Sequence, residues 1–342
     1  MNLEHFIRAM PKVELHVHLE GSIRPETLLT LAQRNRVKLP AATVEGLREW
    51  YAFTDFPHFN EIYQTISSCL KSADDIELIA REFLAGQAAQ NIRYSEVTYT
   101  AYRHHTRGIT FRDQLGALNR ARKWAEAEHG VRMDIVVDIP RMIPAEEGRL
   151  TVDWVIGALG DGVVALGLGG PEVGHPPEKF AGDFDRAHAA GVPCVPHAGE
   201  TVGPTSIWGA LRSLHAIRIG HGVRCLEDSA LVAELKVRQI PLEVCPTSNV
   251  CLKVVPDFAN HPLPRLLQAG LFVTLNSDDP PMFNTTLTDE YLQASSAFGF
   301  DASVIEHLAL NAVRVSLLPP SERAQMELEF IRAHTGLRVK AS

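Results

Sequence analysis

The stretch KVELHVHLEGS, residues 12–22, reads as a short strand that runs into a loop at Gly21. Side chains two positions apart in a strand point to the same side, so His16 and His18 would project side by side where the strand ends. A pair of this kind is also compatible with chance on a half-exposed strand. Its meaning depends on whether other strands bring polar side chains to the same edge.

Seven further stretches read as short strands, each followed by turn residues and a helix-like segment: 92–99, 132–139, 163–170, 192–200, 216–222, 240–249 and 272–280. Strands that alternate with helices predict parallel pairing through right-handed crossovers. Eight such units in 342 residues favour an α/β fold, a closed (β/α)8 TIM barrel, with extra helices after the first strand over 25–37 and 44–90. The alternative, an open doubly wound sheet, lacks the support of a GxGxxG or P-loop motif.

The composition predicts the class of protein. No repeat, low-complexity tract or flexible linker divides the chain, so residues 1–342 are expected to form one domain. The net charge of −8 and the scattered basic residues argue against nucleic acid or an anionic membrane as partner. The chain has no apolar run of signal-peptide or membrane-span length, and a cytoplasmic protein is expected. Its five cysteines form no CxxC pair, which argues against a disulfide framework or a cysteine-rich zinc site.

Polar side chains follow four of the predicted strands at their carboxyl ends, where barrel enzymes build their active sites. A lone histidine after an apolar strand is usually structural, but three strands that bring histidine to one rim, beside carboxylates from a fourth, are hard to explain by chance. These residues are His16 and His18, His197 and Glu200 of HAGE, His221 of GHG, and Asp278 and Asp279 of SDD. Three imidazoles and one carboxylate suit a single zinc ion and leave a position for water. The predicted ligands are His16, His18, His197 and Asp278.

The motifs KVELHVHLEGS, HAGE, GHG and NSDDP, in this order, resemble those of the adenosine deaminase family, zinc aminohydrolases of the amidohydrolase superfamily. The similarity runs from about residue 11 to about residue 315. The resemblance implies that the four predicted ligands bind one zinc ion per chain and that the substrate is a small purine nucleoside. It also implies that Glu200 donates a proton to ring nitrogen N1 and that His221 lies beside the zinc-bound water. Asp279 would hydrogen-bond N7, and the backbone N–H of Gly170 would face N3.

The chemistry of deamination makes these roles reasonable. Zinc lowers the pKa of a bound water from about 16 to near 7, and His221 can act on that water as a general base or electrostatic anchor. Attack at C6 pushes electrons onto N1, so a protonated carboxyl such as Glu200 must supply a proton there. Each residue also has a simpler explanation. Glu200 could favour a helix N-terminus, Asp279 could be a cap or support a ligand, and Gly170 could permit a turn.

The substrate's 5′ side is where the sequence departs from the family. Glu20 stands where adenosine deaminases commonly carry an Asp that contacts the ribose 5′-hydroxyl. Adenosine, converted to inosine and ammonia, is the expected substrate, with Glu20 as a binding residue. The alternative is the aminodeoxyfutalosine deaminase of menaquinone biosynthesis, whose substrate has an aryl-bearing extension at C5′; VVALGLGGPEVGHPPE, PHAGET, EVCPTSN and NSDDPPMF resemble that branch.

Other readings are weaker. Adenine deaminases also carry HLEG but resemble SSE where this chain has GGPE, which favours a nucleoside over the free base. A two-metal ring hydrolase would usually need a lysine after the fourth strand, where this chain has GLGG. The cytidine-deaminase type of zinc site, which combines HxE with PCxxC, is absent. An inactive purine-binding barrel is the non-enzyme alternative. Phe53, Phe56 and Phe59 could form a lid over the pocket or pack in the core.

Overall fold

Eight parallel strands form a nearly closed barrel in the computed structural model, which describes residues 2–339. Each strand pairs with the next one along the chain, from β1 to β8. The remaining edge is bridged beyond β8, where Val17 pairs with Asp278 and the backbone N–H of His18 donates to the carbonyl of Asp278 at 2.8 Å. The predicted TIM barrel is therefore confirmed. The strands are β1 Lys12–His18, β2 Ile92–Tyr99, β3 Arg132–Pro140, β4 Val163–Gly169, β5 Cys194–Ala198, β6 Ile219–His221, β7 Leu242–Val244 and β8 Val273–Leu275.

Helices join the strands and surround the barrel. Four of them, α2 to α5, lie between β1 and β2, so the prediction of extra helices after the first strand is correct. In chain order the helices are α1 Leu3–Ala9, α2 Pro25–Arg34, α3 Val44–Trp50, α4 Phe56–Ser68, α5 Ala73–Ala89, α6 Ala101–His105, α7 Phe111–His129, α8 Ala145–Ala158, α9 Ala181–Ala189, α10 Pro204–Ser213, α11 Ser229–Arg238, α12 Pro246–Cys251, α13 Leu263–Gln268, α14 Leu287–Phe298, α15 Ala302–Val315 and α16 Pro320–Val339.

Local sequence signals explain where these elements begin and end. The strands are buried on both faces, as parallel barrel strands must be, and this accounts for their nearly continuous apolar runs. Helix α5 begins with a capping box in which Ser72 and Asp75 bond each other's backbone N–H groups. Helix α7 ends at Gly130, whose φ of 65° is the left-handed conformation that glycine adopts without strain.

Several predicted strands are shorter in the structure because the chain turns toward the active-site rim. The stretch 240–249 contains only the three-residue strand β7, and Pro246 opens α12 because its fixed φ and missing N–H suit the first turn of a helix. The stretch 272–280 likewise contains only β8 before the chain crosses to β1. The helix expected over 25–37 ends at Arg34, since Arg36 has a φ of 53°.

Two further features concern the chain as a whole. The five cysteines are free thiols, and all but the half-buried Cys251 are buried. Among residues 2–339, no helix combines the length and the apolar character that crossing a bilayer requires.

Candidate active site

The carboxyl ends of the strands open into a cleft with an internal volume of about 580 Å³, including the part that is open to solvent. Most of the residues that the sequence predicts for the site lie on its wall. They are His18, Gly170, His197, Glu200, His221, Asp278 and Asp279. His16 is buried beside the cleft, and only Glu20 lies away from this group.

Five of these side chains converge at the base of the cleft. The ligand-type atoms of His16, His197, His221 and Asp278 all lie within 4.8 Å of one another. The Nε2 atom of His18 is 3.1 Å from Nε2 of His197 and 3.3 Å from Oδ1 of Asp278. Nε2 of His16 is buried without a hydrogen-bond partner among the described residues. Imidazole nitrogens and one carboxylate gathered at one point are the donor set that zinc prefers, so the residues present fit a divalent metal ion.

Buried neighbours fix the orientation of this cluster. Nδ1–H of His16 donates to Glu243 at 2.9 Å, and Glu243 in turn accepts from Nε of Arg218 at 2.6 Å. Because Nδ1 then carries the proton, Nε2 of His16 presents its lone pair to the cluster. On the other side, the Ser248 hydroxyl donates to Oδ2 of Asp278 at 2.6 Å, which leaves Oδ1 toward the histidines.

Carboxylates beside the histidines control their protonation. Burial lowers the pKa of His16, but hydrogen bonds from its ring to the carboxylates of Asp278 and Glu243 outweigh burial and raise that pKa to about 10. Burial likewise lowers the pKa of His18, and Asp279 and Asp278 raise it to about 9. A metal ion needs neutral imidazoles, so it competes with protons for these nitrogens.

His221 differs from the other histidines of the cluster. Its Nδ1 accepts a hydrogen bond from the Asn249 amide at 3.5 Å, and the Asn249 oxygen accepts from Nε2 of His261 at 3.2 Å. This arrangement places the proton of a neutral His221 on Nε2, which faces Oε1 of Glu200 at 3.8 Å. Burial lowers the pKa of His221 to about 4, so the ring is neutral at pH 7. A nitrogen that carries a proton has no lone pair for a metal.

Two residues of the site adopt a backbone conformation that costs free energy. His221 has a φ of 62° and Asp278 a φ of 65°, in the left-handed region that residues other than glycine rarely occupy. Such conformations cost of the order of 1–3 kcal/mol each and persist where the surroundings enforce them. Both residues turn sharply at the end of a strand, which brings their side chains over the mouth of the barrel.

Glu200 sits on a loop that a second glutamate holds in place. Glu172, just beyond β4, is buried and accepts hydrogen bonds from successive backbone N–H groups of the loop after β5 and from the hydroxyls of Thr201 and Ser206. The donors include Gly199 N at 2.7 Å, Glu200 N at 2.9 Å, Thr201 N at 2.7 Å, Val202 N at 3.0 Å and Ser206 Oγ at 2.5 Å. The loop therefore has a single, well-defined position relative to the barrel.

The carboxyl group of Glu200 is suited to hold a proton. It is buried, and its Oε1 atom has no hydrogen-bond partner among the described residues. Burial raises its pKa well above the ordinary value, and the negative charges of Asp278 and Glu172 raise it further. A protonated carboxyl that faces a cleft can act as a general acid.

Asp279 faces the cleft next to Asp278. Burial and the charge of Asp278 raise the pKa of Asp279 well above its ordinary value, and its Oδ1 atom is buried without a partner among the described residues. Gly21 makes room for this side chain, because a Cβ atom there would lie 1.6 Å from Oδ1 of Asp279. Gly170 lies on the cleft wall with a φ of 98°, so a larger residue would be strained there.

Glu20 has a different place from the other predicted binding residues. Its side chain is fully buried, and its Oε1 atom accepts from the backbone N–H of Thr100 at 3.1 Å and from Nε2 of His104 at 3.0 Å. Its Oε2 atom accepts from the hydroxyl of Tyr63 at 3.3 Å, and Tyr63 itself lies on the cleft wall. Glu20 therefore supports the wall from behind, since its extra methylene relative to Asp carries the carboxylate into the interior.

The predicted aromatic segment is divided between cleft and core. Phe56 and Phe59 line the cleft at α4. Phe53 packs against Phe59 and Phe283, with ring centroids 5.3 Å and 5.7 Å away. The core reading therefore holds for Phe53 and Phe59, and a lid over the pocket stays a prediction.

Several residues of the site were not predicted from the sequence. Glu172 belongs to the motif GGPE, in which only the glycine was considered, and Glu243 and Ser248 follow apolar residues of β7 and α12 without a local signal. Asp138 and Arg103 also line the cleft. Asp138 could have been found, because a charged residue in the apolar stretch DIVVDIP, next to the end of β3, sits where a barrel places functional groups.

Solved structures resemble this protein over nearly its whole length. The adenine deaminase of Arthrobacter aurescens has a TM-score of 0.91 and 34% sequence identity, covering 95% of this chain and 99% of that one. An amidohydrolase from Burkholderia ambifaria with bound zinc has a TM-score of 0.91 and 26% identity, covering 99% of this chain and 95% of that one.

Sequence comparison gives the same result. The aminodeoxyfutalosine deaminase of Streptomyces avermitilis is 41% identical over 331 residues, which cover 96% of this chain and 92% of that protein. The adenine deaminase of Rhodospirillum rubrum is 38% identical over 321 residues, 94% of this chain and 96% of that protein. The family model described as adenosine deaminase matches residues 11–332. The chain belongs to the adenosine deaminase family.

Proposed function

We propose that the protein hydrolytically removes the 6-amino group of an adenine nucleoside whose 5′ position is modified, the reaction for which aminodeoxyfutalosine deaminases are named. The position of Glu20 carries this choice. Its carboxylate is fully buried, binds Thr100, His104 and Tyr63, and does not line the cleft, so it is not placed to meet a ribose 5′-hydroxyl. The relative of that name in Streptomyces avermitilis is 41% identical to this chain. Adenosine, the main expectation from the sequence, is less well supported than this alternative.

The residues that would hold the metal are His16, His18, His197 and Asp278, with zinc as the ion. The protonated Nε2 of His221 supports its exclusion from the ligand set. Zinc bound in the related structure from Burkholderia ambifaria supports the choice of metal. When bound, the metal would supply Lewis-acid activation of a water molecule at neutral pH.

The chain's own residues would carry the proton transfers. Glu200, whose burial favours the protonated carboxyl, would donate a proton to N1 as water adds to C6, which allows the ring to accept the electron pair. His221, neutral with its proton on Nε2, would donate a hydrogen bond to the attacking oxygen and act as an electrostatic anchor. Asp279 would accept from or donate to N7 according to its protonation, and the rigid turn at Gly170 would face N3. The loop fixed by Glu172 keeps Glu200 in register with the ring.

The lining of the cleft supports a nucleoside over a free base. The outer wall carries Phe56, Phe59 and Leu252, which suit an apolar or aryl substituent. Adenine is the second candidate, because adenine deaminases are among the relatives in both comparisons.

A panel of substrates tests the proposal. Purified zinc-loaded protein is assayed with aminodeoxyfutalosine, methylthioadenosine, 5′-deoxyadenosine, adenosine and adenine, following loss of the aminopurine absorbance. We expect the highest kcat/KM on a 5′-modified nucleoside. A preference for adenine over every nucleoside would refute the proposal in favour of the second candidate, and a preference for adenosine over 5′-deoxyadenosine would restore the 5′-hydroxyl reading.

A further inference from the structure

Asp138 is a buried carboxylate on the cleft wall with no role in the chemistry described above. It lies near the end of β3, is 2% exposed, and contributes to the lining of the cleft. Its Oδ1 atom accepts no hydrogen bond from any residue that the structure describes. Buried carboxylates almost always have partners, so a carboxylate on a cleft wall that lacks one is a candidate for contact with a ligand.

The neighbouring strand leaves space for this side chain. A Cβ atom at Gly167 would lie 1.9 Å from Oδ1 of Asp138, and one at Gly169 would lie 2.2 Å from Oδ2. Both glycines lie on β4, and any side chain there would displace the carboxylate. Besides permitting a turn, the glycines of GLGG therefore leave room for the side chain of Asp138, which lies between β3 and β4 and lines the cleft.

The surroundings of Asp138 favour an acceptor for a polar group of the substrate. Its carboxylate and a ring nitrogen of His18 lie within 4.8 Å of each other, a distance that one hydroxyl oxygen can span with two hydrogen bonds. Neither Glu200 nor Asp279 is needed for this contact, since both are assigned to the purine ring. Glu20, the residue expected to bind the sugar, is instead engaged in the interior.

We propose that Asp138 accepts a hydrogen bond from a secondary hydroxyl of the substrate's sugar, the 2′- or the 3′-hydroxyl, and so makes the site selective for a nucleoside over a free base. This inference rests on the proposed function, since it requires a nucleoside substrate.

The test combines one substitution in the protein with the removal of one hydroxyl group from the substrate, as in a double-mutant cycle. Asp138→Asn keeps the shape of the side chain and removes the charge. Wild type and variant are compared on 5′-deoxyadenosine, 2′,5′-dideoxyadenosine, 3′,5′-dideoxyadenosine and adenine, with zinc content measured for each preparation. Glu146→Gln, an exposed acidic residue at the start of α8, is the matched control for loss of one charge.

We expect Asp138→Asn to lower kcat/KM on 5′-deoxyadenosine by about ten- to a hundredfold, the value of a hydrogen bond to a charged group. The same loss should appear in wild type with one of the two dideoxy analogues, and the variant should not distinguish that analogue from 5′-deoxyadenosine. Zinc content, any activity on adenine and the melting temperature should match those of Glu146→Gln.

Other outcomes overturn the inference in distinguishable ways. Loss of zinc, or an equal loss of activity on all substrates, would make Asp138 a support of the metal centre and not a sugar acceptor. Full activity of the variant on every nucleoside would refute the contact while the proposed function stands. Wild type that deaminates adenine but no nucleoside would refute both.

Discussion

Replacing Glu172 by Gln should weaken both folding and catalysis, although Glu172 does not line the cleft. In the structure its Oε2 atom accepts from three consecutive backbone N–H groups, 200 to 202, and its Oε1 atom accepts from Gly199 and Ser206. A glutamine has a single acceptor oxygen. If that oxygen takes the place of Oε2, the amide nitrogen faces the N–H of Gly199, and two donors confront each other in a buried site.

The cost follows from these contacts. A hydrogen bond to a charged acceptor contributes about 1.5–3 kcal/mol, and a buried donor left without a partner costs about 1–3 kcal/mol. Loss of the carboxylate also removes the negative charge that most favours the charged form of the buried Arg141. We therefore expect Glu172→Gln to lower the free energy of unfolding by about 2–5 kcal/mol. A shift of Glu200 by about 1 Å would lower kcat by about a hundredfold.

Denaturant unfolding and steady-state kinetics measure the two effects, again with Glu146→Gln as the control. The pH dependence adds a third measurement. Burial raises the pKa of Glu172, but Arg141, Ser206 and the loop N–H groups lower it below its ordinary value of 4.5. Its contribution to stability is therefore fully present above that value and lost as the pH falls through the folded-state pKa. Wild type should lose more stability in acid than Glu172→Gln does. A variant as stable and as active as the control would refute the reasoning.

Three further predictions concern the chemistry and the wall of the cleft. Glu200→Gln should lower kcat by about 10²–10⁴ with unchanged zinc content, and normal turnover would exclude this residue as the acid. Elemental analysis should give one zinc per chain. The affinity for zinc should fall as the pH drops, because His16 and His18 must lose their protons to bind the metal. A zinc affinity that does not change with pH would count against these ligands. Glu20→Gln should lower the melting temperature, because it removes the negative charge beside His104. The ratio of kcat/KM for adenosine to kcat/KM for 5′-deoxyadenosine should not change. A changed ratio would place Glu20 in contact with the substrate.

The sequence predicts the barrel and the base of the cleft because both are governed by local rules. Apolar runs separated by helical segments identify strands, and the parallel arrangement sends every carboxyl end to one rim. Residues at or just beyond the carboxyl end of a strand, such as His197 and Asp278, are therefore found together without knowledge of any distance. The family resemblance added their roles, and membership of that family is confirmed.

The supporting residues could not be predicted because their partners are distant in sequence. Glu172 bonds a loop 27 to 30 residues away, and Glu243 bonds His16 across 227 residues. For Glu20, by contrast, the sequence predicts a side chain that faces the substrate, and the structure buries it behind the cleft wall. Its position in the motif HLEG suggests a substrate contact, but one additional methylene and a histidine 84 residues later turn it into the interior. Only the packed structure separates a side chain that faces the cleft from one that lies behind its wall.

The anchoring of residues 199–202 by Glu172 also determines how substrate can enter and leave. A segment that donates four backbone hydrogen bonds to one buried carboxylate cannot swing aside without breaking all of them together. Phe56 and Phe59 line the cleft from α4, which is flanked by non-helical residues at 51–55 and 69–72. If substrate passes on the α4 side of the cleft, its exchange leaves the loop that carries Glu200 in place.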